Sequence, residues 1–210
     1  MIIDLHTHTR FGSNCSYLYP EELVQSAKRQ KLDGICITEH NLCWEKEAIQ
    51  KLSQENGFLV LGGAEVSTDL GEVLVFGVYQ PLWRVSRTLE LRELVDEVGG
   101  VMIASHPFRG DMLFNRAPAI EEVCSREIFK QVDAVEVFNG RAIGWELDFS
   151  RQVLGKLYLK GVGGSDAHAQ HAVGRCVTIF ERQISNEQDL VDELKAGRFR
   201  AWHRTLNLTF

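Results

Sequence analysis

The sequence predicts a barrel-like parallel α/β fold. Strand-like and helix-like runs alternate along the chain and give about seven strand–helix units. Five of the strand-like runs end in histidine or carboxylate residues, and a barrel of parallel strands gathers its strand ends on one face. No repeat or low-complexity linker divides the sequence, so a single domain over residues 1–210 is expected.

The elements follow in order. Met1–Leu5 is an apolar run ending in His6-Thr7-His8. Pro20–Gln30 reads as a helix: Leu23, Val24 and Ala27 share a face, with Glu early and Lys/Arg late, matching the helix dipole. Gly34–Thr38 is a strand ending in Glu39-His40, and Glu45–Gln54 a second helix. Phe58–Ala64 is a strand ending in Glu65. Glu72–Tyr79 follows the turn-like Asp69-Leu70-Gly71 and is expected to pair as a hairpin. Thr88–Val98 is helical and stops at Gly99-Gly100. Val101–Ala104 is a strand ending in Ser105-His106-Pro107. Ile120–Lys130 reads as one helix, Ala134–Phe138 as a strand, and Gly140–Leu159 contains one helix. Lys160–Gly164 is a strand ending in Ser165-Asp166-Ala167-His168, and Cys176–Phe180 is another strand. Ser185–Lys195 is a helix with Ser185 and Gln188 spaced as a capping box and Gly197 at its end. Ala201–Phe210 is an added strand or a closing tail.

Composition narrows the function classes. With 44% hydrophobic and 25% charged residues the chain falls in the soluble globular class. No apolar run reaches the roughly 18 residues of a membrane span, and Met1–His6 reads as a strand rather than a signal peptide. The five cysteines are odd in number and form no CxxC pair, which points away from a disulfide framework and toward a reducing cytoplasm. Cys36 and Cys176 lie in apolar strands and are expected to be buried thiols. A net charge of −6 without a basic tract disfavours a broad duplex-binding surface and binding to long nucleic acid. It leaves an anionic substrate open, because bound divalent cations reverse the local field.

The strand ends carry the chemistry. His6 and His8 lie on one side of a strand, because the side-chain period is two, and two imidazoles so placed can bind one ion. Glu65 follows a very apolar strand, where an unpaired carboxylate is costly to bury. His106 precedes a proline that fixes its backbone. Asp166 and His168 repeat the spacing of His6 and His8 behind Gly163-Gly164, which allows close backbone approach. Each of these residues alone has a plainer reading, as a polar strand end, a loop histidine or a salt-bridge partner.

Taken together, HTH, TEH, the glutamate of GAEVS, SHP, VEVFNG and SDAH occur in the order seen in the PHP family, the polymerase-and-histidinol-phosphatase metal-dependent phosphoesterases. The resemblance covers nearly the whole chain. It implies a distorted seven-stranded TIM-like barrel with two or three divalent ions (zinc, manganese or iron), and phosphoester hydrolysis by a metal-bound hydroxide. Carried over residue by residue, it implies His6, His8, His40, Glu65, His106, Asp166 and His168 as metal ligands. Glu72 joins them where many members have a histidine. In the segment Phe11–Ser16 the family usually has a histidine or aspartate, so Ser13, Asn14 or Cys15 substitutes or that ligand is absent. The third metal is accordingly expected to be the weakest.

Asp166, His168 and Glu65 are the candidate catalytic residues, with Glu65 and Asp166 holding ions close together and Asp166 or a nearby histidine assisting proton transfer. Asn139 ends its strand at the same mouth and is a candidate substrate contact. Among Arg10, Arg109, Arg141 and Arg175, Arg109, just after His106-Pro107, and Arg175, after the last ligand pair, are expected to hold phosphate. His171 is a candidate proton donor, and His203 is expected to be unrelated. The expected substrate is a small phosphorylated metabolite or a nucleotide. A nuclease acting on nucleic-acid ends, an amidohydrolase, and a non-catalytic metal-stabilised interaction module are the alternatives.

Overall fold

The computed structural model describes residues 1–109 and 118–210. Its centre is one ten-stranded sheet built from β1 (Ile2–Thr7), β2 (Gly34–His40), β3 (Leu59–Thr68), β4 (Gly71–Phe76), β5 (Val101–Ala104), β6 (Ala134–Asn139), β7 (Lys160–Gly164), β8 (Cys176–Phe180), β9 (Phe199–His203) and β10 (Leu208–Thr209). The helices are α1 (Pro20–Arg29), α2 (Lys46–Asn56), α3 (Thr88–Glu97), α4 (Ile120–Cys124), α5 (Ile128–Gln131), α6 (Gly144–Leu154) and α7 (Glu187–Lys195).

The sheet order is β10-β9-β8-β1-β2-β3-β4-β5-β6-β7. The expected seven-stranded barrel is therefore a ten-stranded mixed sheet. Pairings β1–β2, β2–β3, β5–β6 and β6–β7 are parallel. β4 is a reversed strand between β3 and β5, as the Asp69-Leu70-Gly71 turn predicts, and β8, β9 and β10 add antiparallel pairings. The sheet curls into a half-barrel whose β7 edge returns toward β1 and β8. His8 N–H donates to the Ala167 carbonyl at 3.1 Å, and Thr7 and Ala167 form an isolated parallel bridge. The Thr178 hydroxyl donates to the Gly163 carbonyl at 2.9 Å and accepts from Gly163 N–H at 3.0 Å. Only glycine permits this approach, because a Cβ on Gly163 would lie 2.5 Å from the Val177 carbonyl oxygen.

The packing follows the period-two pattern. On β2, Ile35 and Ile37 pack with Leu23, Val24 and Ala27 of α1, while Cys36 packs on the other face with Leu5 and Leu61. Full burial of a Leu, Val or Ile side chain contributes roughly 1.5–3 kcal/mol, so this seam anchors the two strands that carry His6 and His40. Cys36 and Cys176 are both fully buried free thiols, as expected. No helix among the described residues is long and apolar enough to cross a membrane.

Helix boundaries depart from expectation in two places. α7 is capped by Asn186, whose side chain accepts from Asp189 N–H at 3.0 Å, instead of by Ser185 with Gln188. The Ile120–Lys130 helix divides into α4 and α5 at Ser125, whose hydroxyl bonds back to the Glu122 carbonyl at 2.7 Å. The one helix expected within Gly140–Leu159 is α6, which begins at Gly144 after a turn over Asn139–Ala142 closed by Ala142 N–H on the Asn139 carbonyl and by Arg141 N–H on Asn139 Oδ1.

Candidate metal centre

The parallel strands deliver their C-terminal ends to one place. β1 supplies His6 and His8, β2 His40, β3 Glu65, β5 His106, and the end of β7 supplies Asp166 and His168. β4 runs the other way, so its first residues meet the mouth: Ser67 pairs with Glu72, and Glu72 Oε2 lies 3.5 Å from His106 Nε2. All eight expected ligands fall in groups whose donor atoms lie within 4.8 Å of one another. These groups are His6, His8 and Glu65; His6, His106 and Asp166; His8, His40 and His168; and His40, Glu65 and Glu72.

Glu65 is the hub. Its carboxylate is 2.9 Å from His106 Nε2, 3.3 Å from both His6 Nε2 and His8 Nε2, and 3.1 Å from His40 Nδ1. Burial pushes the Glu65 carboxyl up, but the surrounding imidazoles, His6 foremost, hold it well below the usual carboxylate range. Burial pushes His6 down, and Glu65, Glu136 and Asp166 more than reverse this, leaving it well above its usual value. Asp166 lies 3.4 Å from His8 Nε2 and 3.7 Å from His6 Nε2. Burial raises its carboxyl, while His6, His8 and Arg109 hold it far below the carboxylate range.

His6 Nε2 and His8 Nε2 face each other at 3.0 Å. Two ring nitrogens this close, beside two carboxylates, need a shared proton or a cation among them. The donor set, imidazole with carboxylate, suits zinc, manganese or iron. Those ions fit the residues present. The backbone is strained at the same place: His106 and Asp166 both have positive φ, 27° and 51°.

The supporting residues are ones that spacing arguments missed. The Glu136 carboxylate lies 3.0 Å from His6 Nδ1 and accepts from His106 N–H and Asn139 Nδ2, both at 2.9 Å. This fixes the ring so that Nε2 faces the cluster. Glu39 accepts from Thr9 N–H at 3.1 Å and from the Ser13 hydroxyl at 2.5 Å. Ser105 donates to Glu65 at 2.7 Å. Asp4 accepts from Ser165 N–H and Gly174 N–H, both at 2.9 Å, and burial pushes its carboxyl up to about 6. Each of Asp4, Glu39 and Glu136 is a carboxylate set inside an apolar strand, and that was the signal available in the sequence.

Among the residues expected near the first turn, Ser13 is engaged with Glu39 and His8. Cys15 Sγ lies 3.4 Å from His40 Nε2 and 3.1 Å from His168 Nε2. Arg109 is at the mouth and donates to Asp166 at 2.6 Å and to Asn139 Oδ1 at 2.9 Å. Arg141 comes to 3.9 Å from Asp166. Arg175 lines a neighbouring cleft with His171 and His203 and makes no hydrogen bond or ion pair with the donor cluster among the described residues. Arg10 turns to Tyr19, donating to its hydroxyl at 2.7 Å.

The PHP domain model matches residues 4–116, more than half of the chain. The chain belongs to the PHP family. A PHP-associated model matches residues 144–199 of this PHP chain. An uncharacterized protein of Methanocaldococcus jannaschii is 27% identical over 148 residues, which cover 66% of this chain and 82% of that relative. The fold is similar to a two-domain protein of Bacteroides vulgatus containing a predicted PHP-like metal-dependent phosphoesterase, with a TM-score of 0.75 and 18% identity over 96% of this chain. It is also similar to a lesion-specific endonuclease of Pyrococcus furiosus, with a TM-score of 0.63 and 16% identity over 93% of this chain. The PHP chain spans 64% of the first of these structures and 56% of the second.

Proposed function

We propose that this protein hydrolyses a small phosphate ester, a phosphorylated metabolite or nucleotide, at a centre of two or three divalent ions held by His6, His8, His40, Glu65, Glu72, His106, Asp166 and His168. The observation that carries the reading is the convergence of these eight donors from six strands onto the Glu65 and Asp166 carboxylates. Zinc, manganese or iron, when bound, supplies Lewis acidity toward phosphoryl oxygens and lowers the pKa of a water to about 7. Glu65, in contact with four imidazoles, would help to hold more than one of these ions. Asp166, its carboxyl held far below the usual range by His6, His8 and Arg109, keeps its charge and acts as a cation ligand. Arg109 is partly exposed and shared between Asp166 and Asn139, which sets its planar fork toward the mouth for a phosphoryl group. Arg141 stands on the other flank of Asp166.

The reading extends to Cys15 as the ligand that takes the place of the family's usual histidine or aspartate. A thiolate there, with His40 and His168, favours zinc over harder ions. This position remains the weakest of the three, being partly exposed. Residues 1–210 act as one metallohydrolase domain, a reading supported by the single sheet that joins the two matched segments. The free cysteines support a reducing, cytoplasmic setting.

The test is metal analysis of the purified protein with a panel of phosphate mono- and diesters. Turnover of monoesters that is lost on chelation and restored by zinc, manganese or iron is the expected result. Metal-replete protein that cleaves no phosphoester would return the interaction-module alternative.

A further inference from the structure

Beside the donor cluster is a feature of opposite charge. A cleft of about 810 Å³ opens on the same end of the sheet, within the size range of small-molecule sites. His171, Arg175, His203 and Arg204 line it with Trp202, and among the described residues no carboxylate does. In a chain of net charge −6, this is a local arrangement and not a reflection of composition. Its two arginines differ. Arg204 is anchored, donating to the Gly174 carbonyl at 3.3 Å and the Gln30 carbonyl at 2.9 Å, with its guanidinium 5.4 Å from the Trp202 ring centre. Arg175 is exposed, and its guanidinium makes no hydrogen bond, ion pair or ring contact among the described residues. The two guanidinium groups in this cleft repel one another, and an anion placed between them reverses the sign of that interaction.

The cleft and the donor cluster are joined by two short paths. Gly140 lines the cleft, directly follows Asn139, and donates its N–H to the Gly164 carbonyl at 3.0 Å. The buried Asp4 carboxylate binds Ser165 N–H with one oxygen and Gly174 N–H with the other, each at 2.9 Å. The β7–β8 connection thus carries Asp166 and His168 at one end and His171 and Arg175 at the other, pinned by a single carboxylate.

We propose that this cleft binds a second anionic group of the substrate, a phosphate or carboxylate remote from the ester that is cleaved, with Arg175 as its principal contact and Trp202 against the adjoining part of the molecule. This rests on the phosphoester reading above, and it narrows the substrate class to phosphoesters bearing two anionic groups.

Two measurements on the metal-loaded protein test it. Titration with inorganic phosphate is followed by intrinsic fluorescence, and the signal lost in Trp202→Phe is taken as the report of the cleft. Arg175→Ala should weaken that signal's apparent affinity by about tenfold, the loss of a charge-assisted contact, and Arg175→Lys should recover part of it. Absence of a Trp202-dependent signal, or equal affinity in Arg175→Ala, would overturn the proposal. In the second measurement, α,ω-alkanediol bisphosphates are compared with alkyl monophosphates of equal chain length. The wild type should prefer at least one bisphosphate in kcat/KM, and Arg175→Ala should reduce that preference by about tenfold. Equal preference in both proteins overturns the assignment. If no ester is cleaved, the phosphoester reading fails, and the fluorescence result decides the cleft by itself.

Discussion

At the residue scale, Glu136 shows how a site depends on groups that never touch the reacting atoms. Its carboxylate faces His6 Nδ1 and leaves Nε2 free to face Glu65 and Asp166. Glu136→Gln keeps the shape and removes the charge that orients the ring, so metal affinity should fall about 10- to 100-fold. Metal titration followed by calorimetry checks this, and unchanged affinity would remove Glu136 from the account. Asp166→Asn should abolish turnover while the fold is kept, read by activity beside circular dichroism. Cobalt-substituted protein should show a thiolate-to-cobalt charge-transfer band that Cys15→Ser removes. A band that persists in Cys15→Ser would mean that another thiol is responsible. The ligands themselves were legible in the sequence because imidazoles and carboxylates clustered at strand ends. Glu136, Glu39 and Asp4 were harder to read, since a buried carboxylate within a strand has its partner far away in sequence, 130 residues in the case of His6 and Glu136. Arg141 and Arg175 illustrate a related point. Closeness to a ligand along the chain does not fix the direction of a long side chain. Arg141 reaches toward Asp166, whereas Arg175 faces the neighbouring cleft.

At the element scale, the curl of the sheet depends on β7. Gly163 and Gly164 lie against Val177 and His6, and a side chain at either would push the strand away. Gly163→Ala should destabilise the protein by about 1–3 kcal/mol, because the obstruction is backbone that cannot turn aside. Denaturant unfolding measures this, and wild-type stability would mean that the β7–β8 approach is not close. Asn186→Ala should cost about 1 kcal/mol through the lost cap of α7, whereas Ser185→Ala should cost much less by the same assay. Strands and most helices were legible because the period of the apolar residues changes from two to 3.6 between them. Caps were read one residue off at α7, where Ser185 and Asn186 both have capping chemistry and only the fold chooses between them. β9 and β10 escaped a clear reading: β10 is a two-residue strand at the sheet edge, and β9 lies between it and the antiparallel β8.

At the scale of the whole molecule, the position of β4 decides the architecture. The alternation of strands and helices points to a parallel barrel, but the reversed hairpin and the antiparallel β8–β10 edge leave a mixed half-barrel. The number of strand–helix units does not reveal this, because pairing direction depends on connections between elements. The acidic surface bears on the substrate. If affinity comes from the ions, Arg109 and the neighbouring cleft, turnover of a mononucleotide should depend only moderately on salt. A polynucleotide substrate would instead lose affinity with a log–log slope of about −0.7 for each contacted phosphate of a single strand. Cleavage of an oligonucleotide alone, with a steep slope, would favour the nuclease alternative. The central claim is that the strand-end residues hold divalent ions together, and anomalous diffraction from manganese-loaded crystals tests it most directly. Two or more peaks within coordination distance, about 2.0–2.3 Å, of Glu65, Asp166 and the His6, His8 and His106 rings are expected. Peaks only elsewhere on the surface, with these side chains free of any ion, would contradict it.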